Sequence, residues 1–141
     1  MSQANASGVF PARSAAPLQP RALVVEDDAA IRGLIVRVLA RDGFSVAEAT
    51  DGREALAVLT DSSSFQVIVL DLAMPLLDGL EVIGHLSRHR PESLKRIVVV
   101  TANARALHTQ LPEGVCHVLL KPFDLEEFRA AVRACARTAH A

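Results

Sequence analysis

VIVLD, residues 67–71, is an apolar run of four aliphatic residues that ends in a carboxylate. A run this short and continuous is typical of a strand that is buried on both faces, as in a parallel sheet. Three other apolar runs share this form, and each is followed directly by polar side chains: Leu23–Val25 by Glu26 and Asp27, Ile97–Val100 by Thr101, and Val118–Leu120 by Lys121. Because parallel strands end at the same edge of a sheet, these side chains and Asp71 are predicted to converge at its carboxyl edge.

Strand and helix signals alternate along the chain. Five strands are predicted, at Ala22–Val25, Phe44–Ala47, Phe65–Leu70, Ile97–Val100 and Val118–Leu120. Five helices are predicted: one from Asp28 to the stop at Asp42-Gly43, then Gly52–Thr60, Gly79–His89, a short one around Ala104–Gln110, and one that begins after Asp124. This alternation predicts an α/β fold, a flavodoxin-like doubly wound five-stranded parallel sheet with strand order 2-1-3-4-5 and five helices. In that order the four strands that carry the polar side chains flank the crevice where the order reverses.

Local signals mark several helix ends. Asp28 is interpreted as an N-cap rather than as a metal ligand, because its position before Ala29 suits capping. Asp78-Gly79 is interpreted as a turn. Asp124 and Glu127 form the pattern of a capping box, and four residues are predicted on one face of the helix that follows: Leu125, Phe128, Val132 and Cys135.

Composition limits the possible classes of protein. With 141 residues, half of them hydrophobic, the chain suits one folded domain. A net charge of -1 without an aromatic and basic patch disfavours nucleic-acid binding. No apolar stretch approaches the length of a membrane span. Residues 1–20 are rich in Ala, Ser and Pro and lack periodicity, which predicts a disordered tail before a folded domain at 21–141.

The two cysteines, Cys116 and Cys135, lie far apart and lack the spacing of metal ligands. They are interpreted as reduced thiols in the core of a cytosolic protein. His85 and His89 are four residues apart on the predicted third helix, so they could share a face. Because no third ligand is evident, solvated side chains are favoured over a zinc site.

Four segments follow one another at characteristic separations: LVVEDD at 23–28, VLDLAMPLLDG at 69–79, VVVTA at 98–102 and KPF at 121–123. Through them, the chain from Arg21 to Thr138 resembles the receiver domain of bacterial two-component response regulators, here as a single-domain regulator. That resemblance implies a phosphoprotein of phosphorelay signal transduction. Such a domain accepts a phosphoryl group on aspartate from a histidine kinase.

The resemblance also implies a role for each residue of the predicted site. Asp71 is the phosphoacceptor, and Thr101 and Lys121 contact phosphoryl oxygens. Mg²⁺ is held by Glu26, Asp27, Asp71 and the backbone carbonyl of Ala73. The chemistry agrees with these roles, because neighbouring carboxylates repel one another until a divalent cation with a preference for oxygen ligands binds between them.

Two features depart from the family, and one follows it. Val118 stands where the family often carries an aromatic residue, so the usual aromatic rotamer switch is predicted to be absent. The segment between Thr101 and Lys121 is short and contains Pro112, which predicts a stunted fourth helix. The resemblance implies a cis peptide between Lys121 and Pro122, although the sequence alone leaves trans as the default.

These features predict a stand-alone, cytoplasmic receiver that signals by phosphorylation-dependent protein binding or by phosphorelay. Its expected partners are a histidine kinase or phosphotransfer protein and a downstream protein target, with no direct contact to nucleic acid or membrane. A monomer or weak dimer is expected, and no enzymatic activity beyond Mg²⁺-dependent phosphorylation and dephosphorylation of the chain itself.

Three alternatives stay open at this point. The chain could be a pseudo-receiver adaptor that binds its partner without phosphate, or a receiver excised from a longer regulator. A phosphatase with an aspartyl nucleophile is disfavoured, because such enzymes usually carry a second acid two residues after the nucleophile, where Ala73 stands here.

Overall fold

The computed structural model describes residues 19–61, 65–74, 77–102 and 113–140. Five strands lie in these ranges: β1 (Arg21–Val25), β2 (Ser45–Ala49), β3 (Val67–Asp71), β4 (Ile97–Thr101) and β5 (His117–Leu120). The helices are α1 (Ala29–Arg41), α2 (Gly52–Asp61), α3 (Gly79–His89), a 3-10 helix at Pro91–Arg96, and α4 (Leu125–His140). The predicted helix around 104–110 and nearly all of the predicted tail lie outside the described residues.

All five strands are parallel and form one sheet in the order β2-β1-β3-β4-β5, which confirms the predicted 2-1-3-4-5 arrangement. The register brings the strand ends nearly level. Val25 pairs with Leu70, so Glu26 and Asp71 follow at the same height. Asp71 in turn pairs with Val100, and the pair Thr101 and Leu120 comes one step later. The polar residues at these ends therefore emerge along one edge.

The strands alternate their side chains between two hydrophobic clusters, one on each face of the sheet. On one face, α2 and α3 pack over the sheet through Ala55, Leu59, Val82, Ile83 and Leu86. On the other, α1 and α4 pack through Ile35, Leu39, Phe128, Ala131 and Val132. Among the described residues, the helices bury the central strands β3 and β4 on both faces, and the site lies at the carboxyl edge of the sheet. Among the residues that the structure describes, no helix combines the length and apolar character needed to cross a membrane.

Acidic side chains cap the helices that leave this edge. Asp28 accepts hydrogen bonds from the N–H groups of Ala30 (2.9 Å) and Ile31 (3.1 Å), which confirms it as the N-cap of α1. Asp124 caps α4 through the N–H of Glu126 (3.1 Å), one residue earlier than the predicted capping box requires. A complete capping box is found instead at α3, between Asp78 and Glu81, where the sequence indicated only a turn.

The prediction of two reduced thiols is wrong. Cys116 and Cys135 form a disulfide, with their Cα atoms 5.9 Å apart. Cys116 precedes β5 and Cys135 lies on the inner face of α4, so the packing of α4 against the sheet brings together two residues that are 19 positions apart in sequence. Sequence spacing alone carries no signal for that contact.

Two smaller expectations about the C-terminal region have different outcomes. Phe128, Val132 and Cys135 are buried on one face of α4 as predicted, but Leu125 is 39% exposed because it lies in the first turn, beyond the covered part of the helix. The peptide between Lys121 and Pro122 is cis, as the resemblance implies and contrary to the default expected from sequence.

Candidate functional site

Three acidic side chains converge at the carboxyl edge of the sheet. Glu26 and Asp27 follow β1, and Asp71 ends β3, the neighbouring strand. One carboxylate oxygen from each lies within 4.8 Å of the others. Glu26 and Asp71 are buried, whereas Asp27 is exposed. The cluster is therefore reached from solvent on the Asp27 side and closed on the other.

Lys121 supplies a positive charge to this cluster from the end of β5. Its Nζ lies 3.0 Å from Oε1 of Glu26 and 3.5 Å from Oδ2 of Asp71. The lysine side chain is only 19% exposed, so the two ion pairs are poorly screened by water. One ammonium against three carboxylates leaves the cluster with an excess of negative charge.

The environment shifts the pKa values of both partners of the closer ion pair. Burial raises the pKa of Glu26 above its ordinary value, and the charge of Asp71 adds to this, although the hydrogen bonds from Lys121 and from the Asp28 N–H lower it. Burial alone would lower the pKa of Lys121. The hydrogen bond and charge of Glu26 and the charge of Asp71 outweigh burial, so the pKa of Lys121 is raised and the ammonium stays charged.

Thr101 and Ala73 also lie beside the cluster. Thr101 ends β4 and is fully buried, and its carbonyl accepts a hydrogen bond from the backbone N–H of Lys121 (2.8 Å). The end of β4 and the residue that carries the ammonium are thus held together by the main chain. Ala73 follows β3, and its N–H donates to Oδ1 of Asp71 (3.2 Å). All of the predicted site residues are therefore near one another.

Arg32 is a residue of the site region that the sequence analysis missed. From the second turn of α1, its Nη1 donates to the carbonyl of Glu26 (2.9 Å) and, more weakly, to that of Asp27 (3.5 Å). Its Nε bonds to Oε1 of Glu48 near the end of β2 (3.0 Å). Arg32 therefore anchors the backbone between β1 and α1, where two of the three acidic residues lie. The only sequence signal is a basic residue one turn after the cap, which is too common to be informative.

Gly79 has a specific steric role at the other side of the site. A Cβ at this position would lie 2.7 Å from the Cα of Leu72 and still closer to the carbonyl oxygen of Asp71. The Gly79 N–H also donates to the carbonyl of Leu72 (3.0 Å). The start of α3 can pack directly on the backbone at the acidic end of β3 only because residue 79 has no side chain.

The donor set suits a divalent cation of the magnesium type. Every side-chain donor in the cluster is a carboxylate oxygen, and Mg²⁺ prefers oxygen ligands. The exposed position of Asp27 leaves room for the water molecules that Mg²⁺ usually keeps. Lys121 neutralises only part of the charge of the three carboxylates, and the negative charge that remains attracts the cation.

Comparison with known proteins agrees with this geometry. Residues 22–133 match the family described as the response regulator receiver domain. The response regulator MprA of Mycolicibacterium vanbaalenii is 42% identical over 118 residues, which cover 83% of this chain and 50% of that protein. The transcriptional regulatory protein TcrA of Mycobacterium tuberculosis is 35% identical over 119 residues, or 83% of this chain and 46% of that protein. The chain thus spans about half the length of these relatives.

The fold is also shared with solved structures. The response regulator TrrA from Thermotoga maritima, in complex with Mg²⁺-BeF, superposes with a TM-score of 0.74 at 27% sequence identity, covering 82% of this chain and 98% of that one.

Proposed function

Because the chain belongs to the response regulator receiver family, we propose that it accepts a phosphoryl group on Asp71 from a histidine kinase or a phosphotransfer protein. Receiver domains are signalling modules rather than enzymes in the ordinary sense, and they interact with histidine kinases. The observation that carries the proposal is the cluster of Glu26, Asp27 and Asp71, with Lys121 within 3.5 Å of Asp71. We further propose Mg²⁺ as the cofactor, by analogy with the Mg²⁺-BeF complex of TrrA.

The proposed reaction uses Asp71 as the nucleophile. A carboxylate oxygen of Asp71 attacks phosphorus, and the bond from phosphorus to the donor's nitrogen or oxygen breaks as the new acyl phosphate forms. Mg²⁺, when bound, neutralises negative charge on the phosphoryl oxygens. The Ala73 N–H holds the other carboxylate oxygen of Asp71, which fixes the orientation of the nucleophile.

Lys121 is the proposed counter-charge for the phosphoryl group. In the structure, its Nζ is closer to Glu26 than to Asp71. The acyl phosphate carries about two negative charges where the Asp71 carboxylate carried one, which favours movement of the ammonium toward residue 71. Because the Lys121 N–H is bonded to the Thr101 carbonyl, the ends of β4 and β5 are coupled through the main chain beside this ammonium.

The same coupling is the proposed basis of signalling. The hydroxyl of Thr101 is expected to donate to a phosphoryl oxygen, so that β4 and β5 respond together and change the surface that they form with the flanking helices. Phosphorylation then shifts a two-state equilibrium as far as the active state binds the modification better. A downstream protein that binds this surface completes the proposed pathway.

We propose that the protein works in the cytoplasm as a stand-alone receiver, without direct contact to nucleic acid or membrane, as a monomer or weak dimer. A receiver that is part of a longer regulator remains the alternative. Immunoblotting of native cell extract tests this point, because a stand-alone receiver migrates at about the 15.1 kDa of this chain and a longer regulator migrates well above it.

Intact-mass spectrometry tests the phosphorylation itself. The protein is incubated with MgCl₂ and acetyl phosphate, and wild type is compared with Asp71→Asn and with Asp124→Asn, a control at the exposed cap of α4. We expect wild type and Asp124→Asn to gain one phosphoryl group and Asp71→Asn to gain none. Equal labelling of all three proteins would refute the role of Asp71.

The adaptor alternative makes a different prediction. If the protein binds its partner without phosphate, the affinity for that partner is the same with and without acetyl phosphate in wild type and in Asp71→Asn. Under our proposal, acetyl phosphate changes the affinity of wild type only.

A further inference from the structure

The disulfide between Cys116 and Cys135 joins two elements on one face of the sheet. Cys116 lies directly before β5, and its N–H donates to the carbonyl of Ile97 on the neighbouring strand (3.1 Å). Cys135 lies in the middle of α4. Their Cα atoms are 5.9 Å apart, within the range that disulfides normally span, so the backbone positions suit the bond without displacement of either element.

The two cysteine residues differ in their exposure to solvent. Cys135 is fully buried in the hydrophobic cluster that contains Phe128 and Val132. Cys116 is only half-buried, and its neighbour His117 is exposed. A buried reduced cysteine behaves as a small hydrophobic side chain, so the same cluster accommodates Cys135 in either oxidation state. A reagent in solution therefore reaches the pair through Cys116.

The bridge also encloses a functional segment of the chain. Residues 116–135 include β5, the first 11 of the 16 residues of α4 and, between them, Lys121. Lys121 contacts Glu26 and Asp71 through its ammonium and Thr101 through its backbone. When the disulfide is closed, one covalent bond joins the two ends of the segment that carries the positive charge of the site.

We propose that Cys116 and Cys135 are a reversible redox site that reacts with small-molecule disulfides such as oxidised glutathione, and that the closed bridge restrains the segment that carries Lys121. Reversibility rests on the cytoplasmic location given under the proposed function, because disulfides in the cytoplasm are usually transient and redox-sensing or catalytic. The reaction of the cysteines itself does not require phosphorylation of Asp71.

The exchange takes place in two balanced steps. The thiolate of Cys116 attacks one sulfur of oxidised glutathione, and the other half leaves as a glutathione thiolate, which takes up the proton that Cys116 lost. The thiolate of Cys135 then attacks the Cys116 sulfur and displaces the second glutathione, which takes up the second proton. In total, two protein thiols are oxidised to one disulfide, and one glutathione disulfide is reduced to two thiols.

Two single variants test the order of attack. The folded, reduced proteins are exposed to oxidised glutathione, and mixed disulfides are detected by intact mass. We expect Cys135→Ala to retain one glutathione on Cys116, and Cys116→Ala to retain none because Cys135 is buried. Wild type loses two hydrogens and retains no glutathione. Equal labelling of both variants, or failure of wild type to oxidise, would overturn the proposal.

A second measurement tests reversibility under native conditions. Oxidised wild type is treated with dithiothreitol without denaturant and the dithiothreitol is removed, after which the protein is unfolded so that both new thiols can be alkylated and counted by mass. We expect two alkylated thiols, and a bridge that stays closed in the folded protein would identify a permanent structural disulfide instead. These mass readouts are independent of acetyl phosphate, so failure of phosphorylation and failure of the redox site are distinguishable.

Amide hydrogen exchange tests the restraint on the Lys121 segment. We expect exchange in residues 117–121 to be at least several-fold slower in oxidised than in reduced wild type, and the thermal midpoint to rise by roughly 10 °C on oxidation, because the bridge closes a loop of about 20 residues. The double variant Cys116→Ala with Cys135→Ala should show no effect of the redox buffer. Identical exchange of the two wild-type forms would contradict the proposed restraint.

Discussion

At the Glu26 carboxylate, burial and the charge of Asp71 oppose ionisation, and the ammonium of Lys121 favours it. The ionisation of the site therefore depends on the charges of a few individual side chains. The partly buried Lys121 lies between two carboxylates and offsets part of their repulsion, and we expect a divalent cation or a phosphoryl group to change which carboxylate it contacts more closely. Substitutions that keep the shape of a side chain and remove its charge separate these contributions.

Asp27 and Asp28 are adjacent acidic residues with different roles. Asp28 caps α1, and asparagine caps a helix nearly as well as aspartate. Asp28→Asn should therefore leave Mg²⁺ affinity and stability almost unchanged, while Asp28→Ala should lose about 1 kcal/mol of stability. Asp27→Asn should weaken Mg²⁺ binding at least several-fold. Titration calorimetry is the suitable measurement because the chain has no Trp or Tyr to report binding by fluorescence. Equal Mg²⁺ affinities for the two asparagine variants would contradict the assignment.

Arg32 should affect Mg²⁺ affinity without contacting the metal. It anchors the carbonyls of Glu26 and Asp27, and loss of such an outer contact typically weakens metal binding by about 10- to 100-fold. We expect Arg32→Ala to weaken Mg²⁺ binding by at least about 10-fold. The control is Arg37→Ala, at an exposed arginine of the same helix, which should bind Mg²⁺ as wild type does. If both variants matched wild type in calorimetry, the loop would not depend on this anchor.

At the scale of elements, the two glycines of α3 predict opposite effects. The start of the helix is pressed against the backbone of β3 at Gly79, so Gly79→Ala should destabilise the protein by about 1–3 kcal/mol and impair phosphorylation. At Gly84, a Cβ meets only the end of the flexible Arg88 side chain, at 3.5 Å. Gly84→Ala should therefore be neutral or stabilise by up to about 1 kcal/mol. Urea denaturation followed by circular dichroism measures both, and a stable, active Gly79→Ala protein would disprove the close contact.

The contact between α1 and α4 predicts a dependence of stability on pH. Arg129 donates to both carboxylate oxygens of Asp42, at 2.9 Å each, and these hydrogen bonds hold the pKa of Asp42 below its ordinary value of 3.8. A carboxyl group with a lowered pKa in the folded state contributes stability above its unfolded pKa, and this contribution is lost as the pH falls through the folded value. Asp42→Asn should therefore lower the thermal midpoint at pH 7.

The lowered pKa of Asp42 also determines how the difference between wild type and Asp42→Asn should change at acid pH. Once Asp42 is protonated, wild type and Asp42→Asn carry equivalent uncharged groups at this position. The difference between their thermal midpoints should then shrink as the pH falls below about 4. A difference that stayed constant from pH 7 to pH 3 would show that Asp42 acts through shape rather than charge.

For the whole molecule, the sequence was sufficient wherever a local pattern determines the structure. Continuous apolar runs predicted the buried parallel strands, and the polar residue at the end of each run predicted which side chains meet. The register then places Glu26 level with Asp71, as the strand order requires. These features follow from the periodicity of the apolar residues and from the topology that alternating strands and helices adopt. Both can be inferred from a single sequence.

Features that depend on long-range packing were not predictable. The disulfide requires that α4 lie over β5 at one specific position, and the contact of Arg32 with the backbone after β1 requires the exact rotation of α1. The sequence does not distinguish the close packing of Gly79 on β3 from an ordinary turn. An aspartate followed by a glycine is found in both structures. The predicted tail and the proposed roles of individual site residues remain predictions.

Chemical trapping shows whether Asp71, in its acidic cluster, is the phosphoacceptor and whether its phosphorylation depends on Mg²⁺. The protein is incubated with acetyl phosphate in MgCl₂ or in EDTA and reduced with borohydride, which converts an aspartyl phosphate to homoserine. Peptide mass spectrometry then locates the product. We expect conversion at position 71 alone, and only with Mg²⁺. Conversion at another aspartate, or equal conversion in EDTA, would contradict this expectation.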